Sequence, residues 1–330
     1  MRKLGLLSAL LGLLAAGSAQ AGSPYPRSSV ITGISWDRAS YVFAGVGGDV
    51  RPITWAADGS VRAAYGDGQI GCPVKVSYGT VAITSNAPSL ALQGVGCGPT
   101  GSGHGKIMAL GAAGSVLFGR MGQQSQAAPY PIVRSTDGGR SWQKPGWSPV
   151  FATAAFVQFG KANAGAPDGY VYLISVTNGT TVQLTRFPAD KWNVSSAYQY
   201  FSGTAAAPAW SSRLSARRPI FHDAAGARQP TLQYVPGLKR YLLTAAHAGP
   251  GQVGVFDAPT MYGPWTTSYH ANKWLGLGTR GLYYSIYFPL KWQSADGRTL
   301  WATFNCHNDQ DPGACGQYHD RLNMMRVTLQ

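Results

Sequence analysis

Every acid in this 330-residue chain is an aspartate: there are 13 acidic side chains, and Glu is absent. Chemistry that needs two carboxylates, one to attack and one to move a proton, must therefore use two Asp residues. Most can be set aside by their neighbours. Asp58, Asp137, Asp168 and Asp296 each precede Gly and fit turns. Asp190, in Pro188-Ala189-Asp190-Lys191, fits a helix cap. Asp309 and Asp311 fall between Cys306 and Cys315, where the spacing is wrong for an EF-hand calcium loop. Asp49 and Asp67 lie equally far from Asp58 in the Asp58-Gly59 turn, so a hairpin centred there sets them opposite each other to within one residue. Cross-strand Cβ atoms are about 4.5–5.5 Å apart. Carboxylates about 5–5.5 Å apart suit a retaining glycosidase, and wider pairs suit an inverting one. The plainer alternative makes Asp67 another Asp-Gly turn residue and Asp49 a loop acid.

The elements that must carry this pair read as β-hairpins. Ile53–Trp55 and Val61–Tyr65 flank Asp58-Gly59, and Val74–Tyr78 and Val81–Ser85 flank Gly79-Thr80. Ile107–Leu110 and Val116–Gly119 flank a Gly-containing segment. Tyr170–Val176 and Thr181–Arg186 flank Asn178-Gly179, and Tyr241–Ala246 and Gln252–Asp257 follow the same pattern. Helical stretches are few; Lys191–Tyr198 is a candidate for a short one. The 43 glycines and the low charged fraction of 12% agree with an all-β chain rich in turns. So long a meander has to hide its edges, and a propeller of four-stranded blades does so economically, with a β-sandwich as the alternative. Ser135-Thr136-Asp137-Gly138-Gly139-Arg140-Ser141-Trp142 fits the Asp-box pattern S-x-D-x-G-x-x-W, which resembles the outer-strand turns of sialidase-like propellers. A true sialidase needs a Tyr–Glu pair, which a chain without Glu does not have.

Further candidates stand at expected strand ends. His222 follows Arg218–Phe221, His247 follows Tyr241–Ala246, and His270 follows Trp265–Tyr269, so all three could line the mouth of a funnel. Arg51 and Trp55, on the segment that carries Asp49, complete the expected substrate-binding set. Trp210, Trp274, Tyr283 and Tyr284 could stack on sugar faces.

Residues 1–21 read as a signal peptide: Arg2 and Lys3, an apolar run from Leu4 to Ala16, and Ala19-Gln20-Ala21 as a cleavage site. Residues 22–330 then form a single domain, secreted or periplasmic. Four cysteines in an exported chain favour disulfides, and sequence neighbours suggest Cys72–Cys97 and Cys306–Cys315. None has zinc-type spacing, and no metal or cofactor is expected. The formal charge of +14 is dispersed, with no basic run of the nucleic-acid type; a glycan or a negative cell surface matches it better. The expected partner is a polysaccharide or other glycan, with no nucleic acid, no membrane insertion and a monomeric state.

The stretch Asp49–Gly68 resembles the D-x-W-P-[IL]-T-W-A-x-D-G…A-[WY]-G-D-G signature of a bacterial and fungal family long known only as a domain of unknown function. Matching blocks continue at Phe156–Lys161, Ala164–Tyr172, Tyr198–Gly203, Tyr234–Leu243, Asp257-Ala258-Pro259, Gly263-Pro264-Trp265, Phe288-Pro289 and Lys291-Trp292. The resemblance implies a five-bladed β-propeller of antiparallel four-stranded blades. It also implies a glycosidase of the endo-D-arabinanase type, with Asp49 and Asp67 as the acidic pair, one the nucleophile and the other the acid/base; Asp67 is taken as the nucleophile by preference, and the resemblance does not decide between them. Val50-Arg51 stand where the family often has Asn-Trp, and Arg51 is a candidate for binding an anionic sugar. A polysaccharide lyase using His or Tyr, and a non-catalytic carbohydrate-binding propeller, are the alternatives.

Overall fold

The computed structural model describes residues 22–45, 47–49, 52–101, 104–122, 130–149, 151, 153–247, 251–276, 282–308 and 312–330. The expected signal peptide, Arg51, Asp309 and Asp311 lie outside these residues.

Five antiparallel blades stand around a central axis, each following the four-stranded pattern from axis to rim. Strand β1 (Ile34–Ala44) is the outermost strand of the last blade. The first blade is β2 (Ile53–Trp55), β3 (Val61–Gly68), β4 (Val76–Ile83) and β5 (Leu92–Cys97). The second is β6 (Lys106–Ala113), β7 (Val116–Gly122) and β8 (Ile132–Ser135), with a bridge from Arg134 to Gln143 in the fourth position. In the third, β9 (Thr153–Phe156), β10 (Tyr170–Thr177) and β11 (Thr181–Pro188) are followed by β12 (Gln199–Phe201), β13 (Trp210–Ser211) and β14 (Pro219–His222). Here β12 and β14 share the fourth position end to end along β11. The fourth blade is β15 (Arg228–Val235), β16 (Arg240–Ala246), β17 (Val253–Ala258) and β18 (Thr266–Ala271). The fifth is β19 (Leu282–Tyr287), β20 (Thr299–His307) and β21 (Leu322–Leu329), completed by β1, whose Ile34 pairs with Leu329. The two ends of the described chain thus close the ring in one sheet. Only short 3₁₀ turns interrupt the β pattern among the described residues, including Ala189–Lys191 and Ser195–Ala197 where a short helix is expected.

Turn chemistry explains most hairpins. Asn178 and Gly179 both have positive φ (54° and 69°), which suits a two-residue turn between twisted strands. The hairpin expected around Gly79-Thr80 does not form; Val76–Ile83 is one continuous strand. Gly79 is there for packing, since a Cβ at that position would run into the Tyr65 ring on the neighbouring strand. In Ser135–Trp142, Asp137 accepts bonds from the Ser135 hydroxyl at 2.7 Å and the Ser141 amide at 3.0 Å. The Ser141 hydroxyl also donates to it, and against the opposing effect of burial this bond, with the other two, holds the Asp137 carboxyl at about 2.

Side-chain amides on the innermost strands bind the blades together. Gln158 accepts from the Thr54 hydroxyl of the first blade and donates to the Leu110 carbonyl of the second. Its backbone pairs with Leu232 and Tyr234 of the fourth. Gln233 donates to Phe288 O and accepts from Phe288 N of the fifth blade. These polar groups are buried and partnered, as a stable interior requires. Between blades, aromatic and aliphatic side chains form the apolar core, with Phe118, Phe156 and Phe187 at one junction and Phe201, Phe221 and Phe256 at another.

Both expected disulfides are present, Cys72–Cys97 and Cys306–Cys315. Cys72–Cys97 closes a loop with a sequence separation of 25. Replacing both its cysteines by Ser frees that loop in the unfolded chain and is expected to cost about 3 kcal/mol, read as a lower urea midpoint.

Candidate active site

The innermost strands β2, β6, β9, β15 and β19 run in the same direction along the axis. Gln158 and Gln233 pair in parallel, and β6 leads from Lys106 down to Gly114, whose amide reaches Ala162 beyond the far end of β9. The entry ends of all five strands therefore open on one face. Asp49 precedes β2, and Lys106 is the first residue of β6. Asp67 comes to the same face from the end of β3.

The hairpin keeps the expected register from Trp55↔Val61 to Ile53↔Ala63, then slips by one residue, so that Asp49 pairs with Gly66 rather than Asp67. The Asp49 and Gly66 backbones exchange both hydrogen bonds, at 3.0 and 2.8 Å. Just past the slip, Asp67 takes a left-handed conformation (φ 48°), sparsely populated for residues other than Gly but tolerated by Asp. An irregularity of this kind re-aims a side chain, and such features gather at functional sites.

Lys106 joins the two acids. Its Nζ lies 2.6 Å from Asp49 Oδ2 and 2.7 Å from Asp67 Oδ2, so the two oxygens are no more than about 5.3 Å apart. Asp49 is only 4% exposed, while the Asp67 side chain is 31% exposed. Burial pulls the Lys106 ammonium down, but the hydrogen bonds and charges of the two carboxylates outweigh it and hold the group above the ordinary lysine range. The other oxygen of each acid, Asp49 Oδ1 and Asp67 Oδ1, is buried without a hydrogen-bond partner. Unpaired buried acceptors are costly and call for an explanation, and readiness to receive a ligand is one. Gly66 makes the close approach possible: a Cβ there would lie 2.5 Å from both Asp49 Oδ1 and Lys106 Cδ. The sequence does not single out Lys106. Its one signal is its place at the entry of an expected strand.

The histidines stand on the same face but on other blades. The rings of His247 and His270 stack with centroids 3.7 Å apart, and His247 Nε2 lies 3.3 Å from Asn272 Oδ1. Burial pushes both imidazoles down, and the adjacent ring pushes His270 further, to about 4, while Asn272 and Asp223 partly support charge on His247. His222, at the rim, meets the Thr181 hydroxyl at 3.0 Å. Trp55 is placed at the opposite end of β2, where its indole N–H donates to Gly59 O beside the Asp58-Gly59 turn. Trp274, a candidate sugar platform by sequence, is fully buried against Trp36 and Phe304 and serves the core. Tyr283 and Tyr284 have no described side chains. His307, His319 and Asp320 form a further group, with three possible ligand atoms within 4.8 Å of one another. The backbone carbonyl of Asp320 accepts the Gly47 amide two residues before Asp49, so the segment bearing this group braces the loop that carries the acid.

Gly66→Ala should drive Asp49 and Lys106 apart and cost about 1–3 kcal/mol, read by urea unfolding. The histidine pair gives a pH dependence. An unfolded His titrates near 6.5. Below that value the unfolded chain binds protons that the folded pair refuses, so stability should fall as the pH drops from about 6.5 to about 4. His270→Gln should flatten that part of the profile, and an equal slope in both proteins would count against the assignment.

Three comparisons place the chain among known proteins. A family model described as "Domain of unknown function (DUF4185)" matches residues 121–318, so Asp49, Asp67 and Lys106 lie upstream of the matched segment. No curated protein matches. Among solved structures, the fold is similar to a putative exo-beta-1,3-galactanase from Bifidobacterium bifidum, with TM-score 0.54, 10% identity, and 87% of this chain and 91% of that one covered. It is also similar to a putative hydrolase from Bacteroides ovatus, with TM-score 0.50, 14% identity and 87% of both chains covered. A GH43_1 enzyme from Xanthomonas citri has TM-score 0.50 and 10% identity, with 88% and 90% covered. At these identities the likeness establishes the five-bladed propeller alone. The family match spans more than half of the sequence, and the chain belongs to the DUF4185 family.

Proposed function

We propose that the protein is a retaining glycoside hydrolase acting on an extracellular or cell-envelope polysaccharide, of the endo-D-arabinanase type, through Asp67 and Asp49. The observation that carries this reading is the single ammonium shared by the two carboxylates, whose facing oxygens are no more than about 5.3 Å apart. That bound agrees with the roughly 5–5.5 Å of the pair in retaining enzymes and lies below the roughly 6.5–9.5 Å of inverting ones. Asp67, the more exposed acid, attacks the anomeric carbon to form a glycosyl–enzyme ester. Asp49 enters the step carrying a proton taken up from solvent, delivers it to the departing oxygen, and then takes one from the water that hydrolyses the ester. Lys106 offsets the negative charge of the nucleophile and holds both acids in place between turnovers. The glycoside hydrolases among the similar folds support this class of reaction, and the two disulfides suit an oxidising compartment where such polymers are met.

Release of reducing ends should be measured on arabinans, galactans, xylans and uronate polymers. Asp67→Asn and Asp49→Asn should each lower the rate by roughly 10²–10⁴-fold with the fold intact, and NMR should show the product anomer retained. A fully active Asp67→Asn would reject the assignment. Unsaturated, ultraviolet-absorbing products from uronate polymers would identify a lyase instead, and glycan binding without any released sugar would identify a binding propeller.

A further inference from the structure

The face opposite the Asp49–Asp67 pair carries a cavity of about 330 Å³ at the junction of the third and fourth blades. Its position follows from the register. Tyr170 starts β10 at this face, and the strand's other end, Thr177, reaches the carboxylate face seven residues on, about 23 Å along a strand. The volume lies within the range of small-molecule sites, roughly 300–1,000 Å³.

The lining combines aromatic walls with one fixed polar pair. Trp210, Tyr241, Tyr262 and Tyr172 supply rings, and Asp168 and Arg186 supply the charges. The guanidinium of Arg186 lies over the Tyr170 ring at 4.2 Å and over the Trp210 ring at 4.1 Å. Its Nε donates to Gln199 Oε1, and its Nη1 donates to Asp168 Oδ2 at 3.0 Å and to Tyr172 Oη. Nη2 makes no hydrogen bond among the described residues. Asp168 receives the Tyr172 hydroxyl at 2.7 Å and the Tyr170 amide at 3.0 Å, and it keeps spare acceptor capacity. Three prolines, Pro167, Pro208 and Pro259, stiffen the rim, so little ordering would be needed on binding.

The chemistry of this lining narrows the ligand. A cation would meet Arg186, and an anion would meet Asp168. A wholly apolar ligand would strip water from both without replacing it. A neutral polyhydroxylated ring offers hydroxyls that accept from a guanidinium and donate to a carboxylate side by side, and it presents C–H faces to aromatic rings. We propose that this cavity is a second glycan-binding site, which holds a neutral sugar residue of a polymer on the face away from the acids. It does not depend on the hydrolytic role of Asp49 and Asp67.

The test uses the full chain carrying Asp67→Asn, which prevents turnover. Migration is followed in native gels containing linear arabinan, β-1,3-galactan or xylan, each in turn. At least one polymer should retard this protein. Adding Trp210→Ala, or separately Asp168→Ala, should weaken retardation about tenfold, the worth of one aromatic or polar contact. Trp210 also packs against Phe201 and Tyr172, so its variant counts only if its melting temperature is unchanged. Asp168→Ala, on an exposed segment, keeps the test decisive if it is not. With Asp67 restored, Trp210→Ala and Asp168→Ala should hydrolyse short oligosaccharides at the rate of the unmodified protein. Retardation unaltered by both substitutions, or no retardation by any of the polymers, would overturn the proposal. Hydrolysis absent throughout with retardation lost in the variants would remove the hydrolase reading and leave this site standing.

Discussion

An open antiparallel sheet leaves unpaired backbone groups at its edges, and most of this molecule follows from how those edges are hidden. Stacking the blades around an axis buries their faces against one another, and pairing β1 with β21 ties the first described strand to the last. Because each blade begins at the axis and works outward, the innermost strands run the same way, so their entries meet on one face. Asp49, just before β2, and Lys106 and Asp67, on β6 and β3, come from three segments of two blades, and this common direction is what brings them together. The amide ties from Gln158 and Gln233 keep the inner strands in fixed relation, so the carboxylates have a rigid floor.

At the site itself, electrostatics and sterics work against regular structure. Two carboxylates this close repel unless a cation separates them, and Lys106 provides it. The approach needs a register slip, a left-handed Asp67 and a glycine at position 66. Each is unfavourable for an ordinary hairpin. Together they leave one buried oxygen on each acid without a hydrogen-bond partner.

The two faces of the propeller are built differently. The entry face gathers ionisable groups: the acid–lysine cluster, the His247–His270 stack and the His307–Asp320 contact. The opposite face gathers turns, with Asp58-Gly59 and the Ser135–Trp142 segment, and an aromatic cavity between two blades. Ionisable groups are thus concentrated at one face and aromatic contact surface at the other.

Much of the frame was legible in the chain. Turn residues at Asp58-Gly59 and Asn178-Gly179 mark hairpins because positive φ is cheap only for such residues, and the absence of Glu narrowed any carboxylate pair to Asp. Equal spacing from one turn pointed to Asp49 and Asp67, since an antiparallel hairpin fixes which residues face each other. Gly79 misled because a glycine needed for packing looks the same in sequence as one needed for a turn. Lys106 was barely legible, by its place at the entry of an expected strand alone: it lies in another blade, and no local pattern records which side chain a neighbouring sheet will deliver. The same holds for the cavity of Trp210, Arg186 and Tyr262, assembled from segments far apart in the chain. Sequence by itself determined the strands, the turns and the acids available, because those depend on local backbone preference and hydrogen-bonding geometry. Tertiary structure alone decided which charges meet and which aromatics enclose a space, because both depend on how the blades pack around the axis.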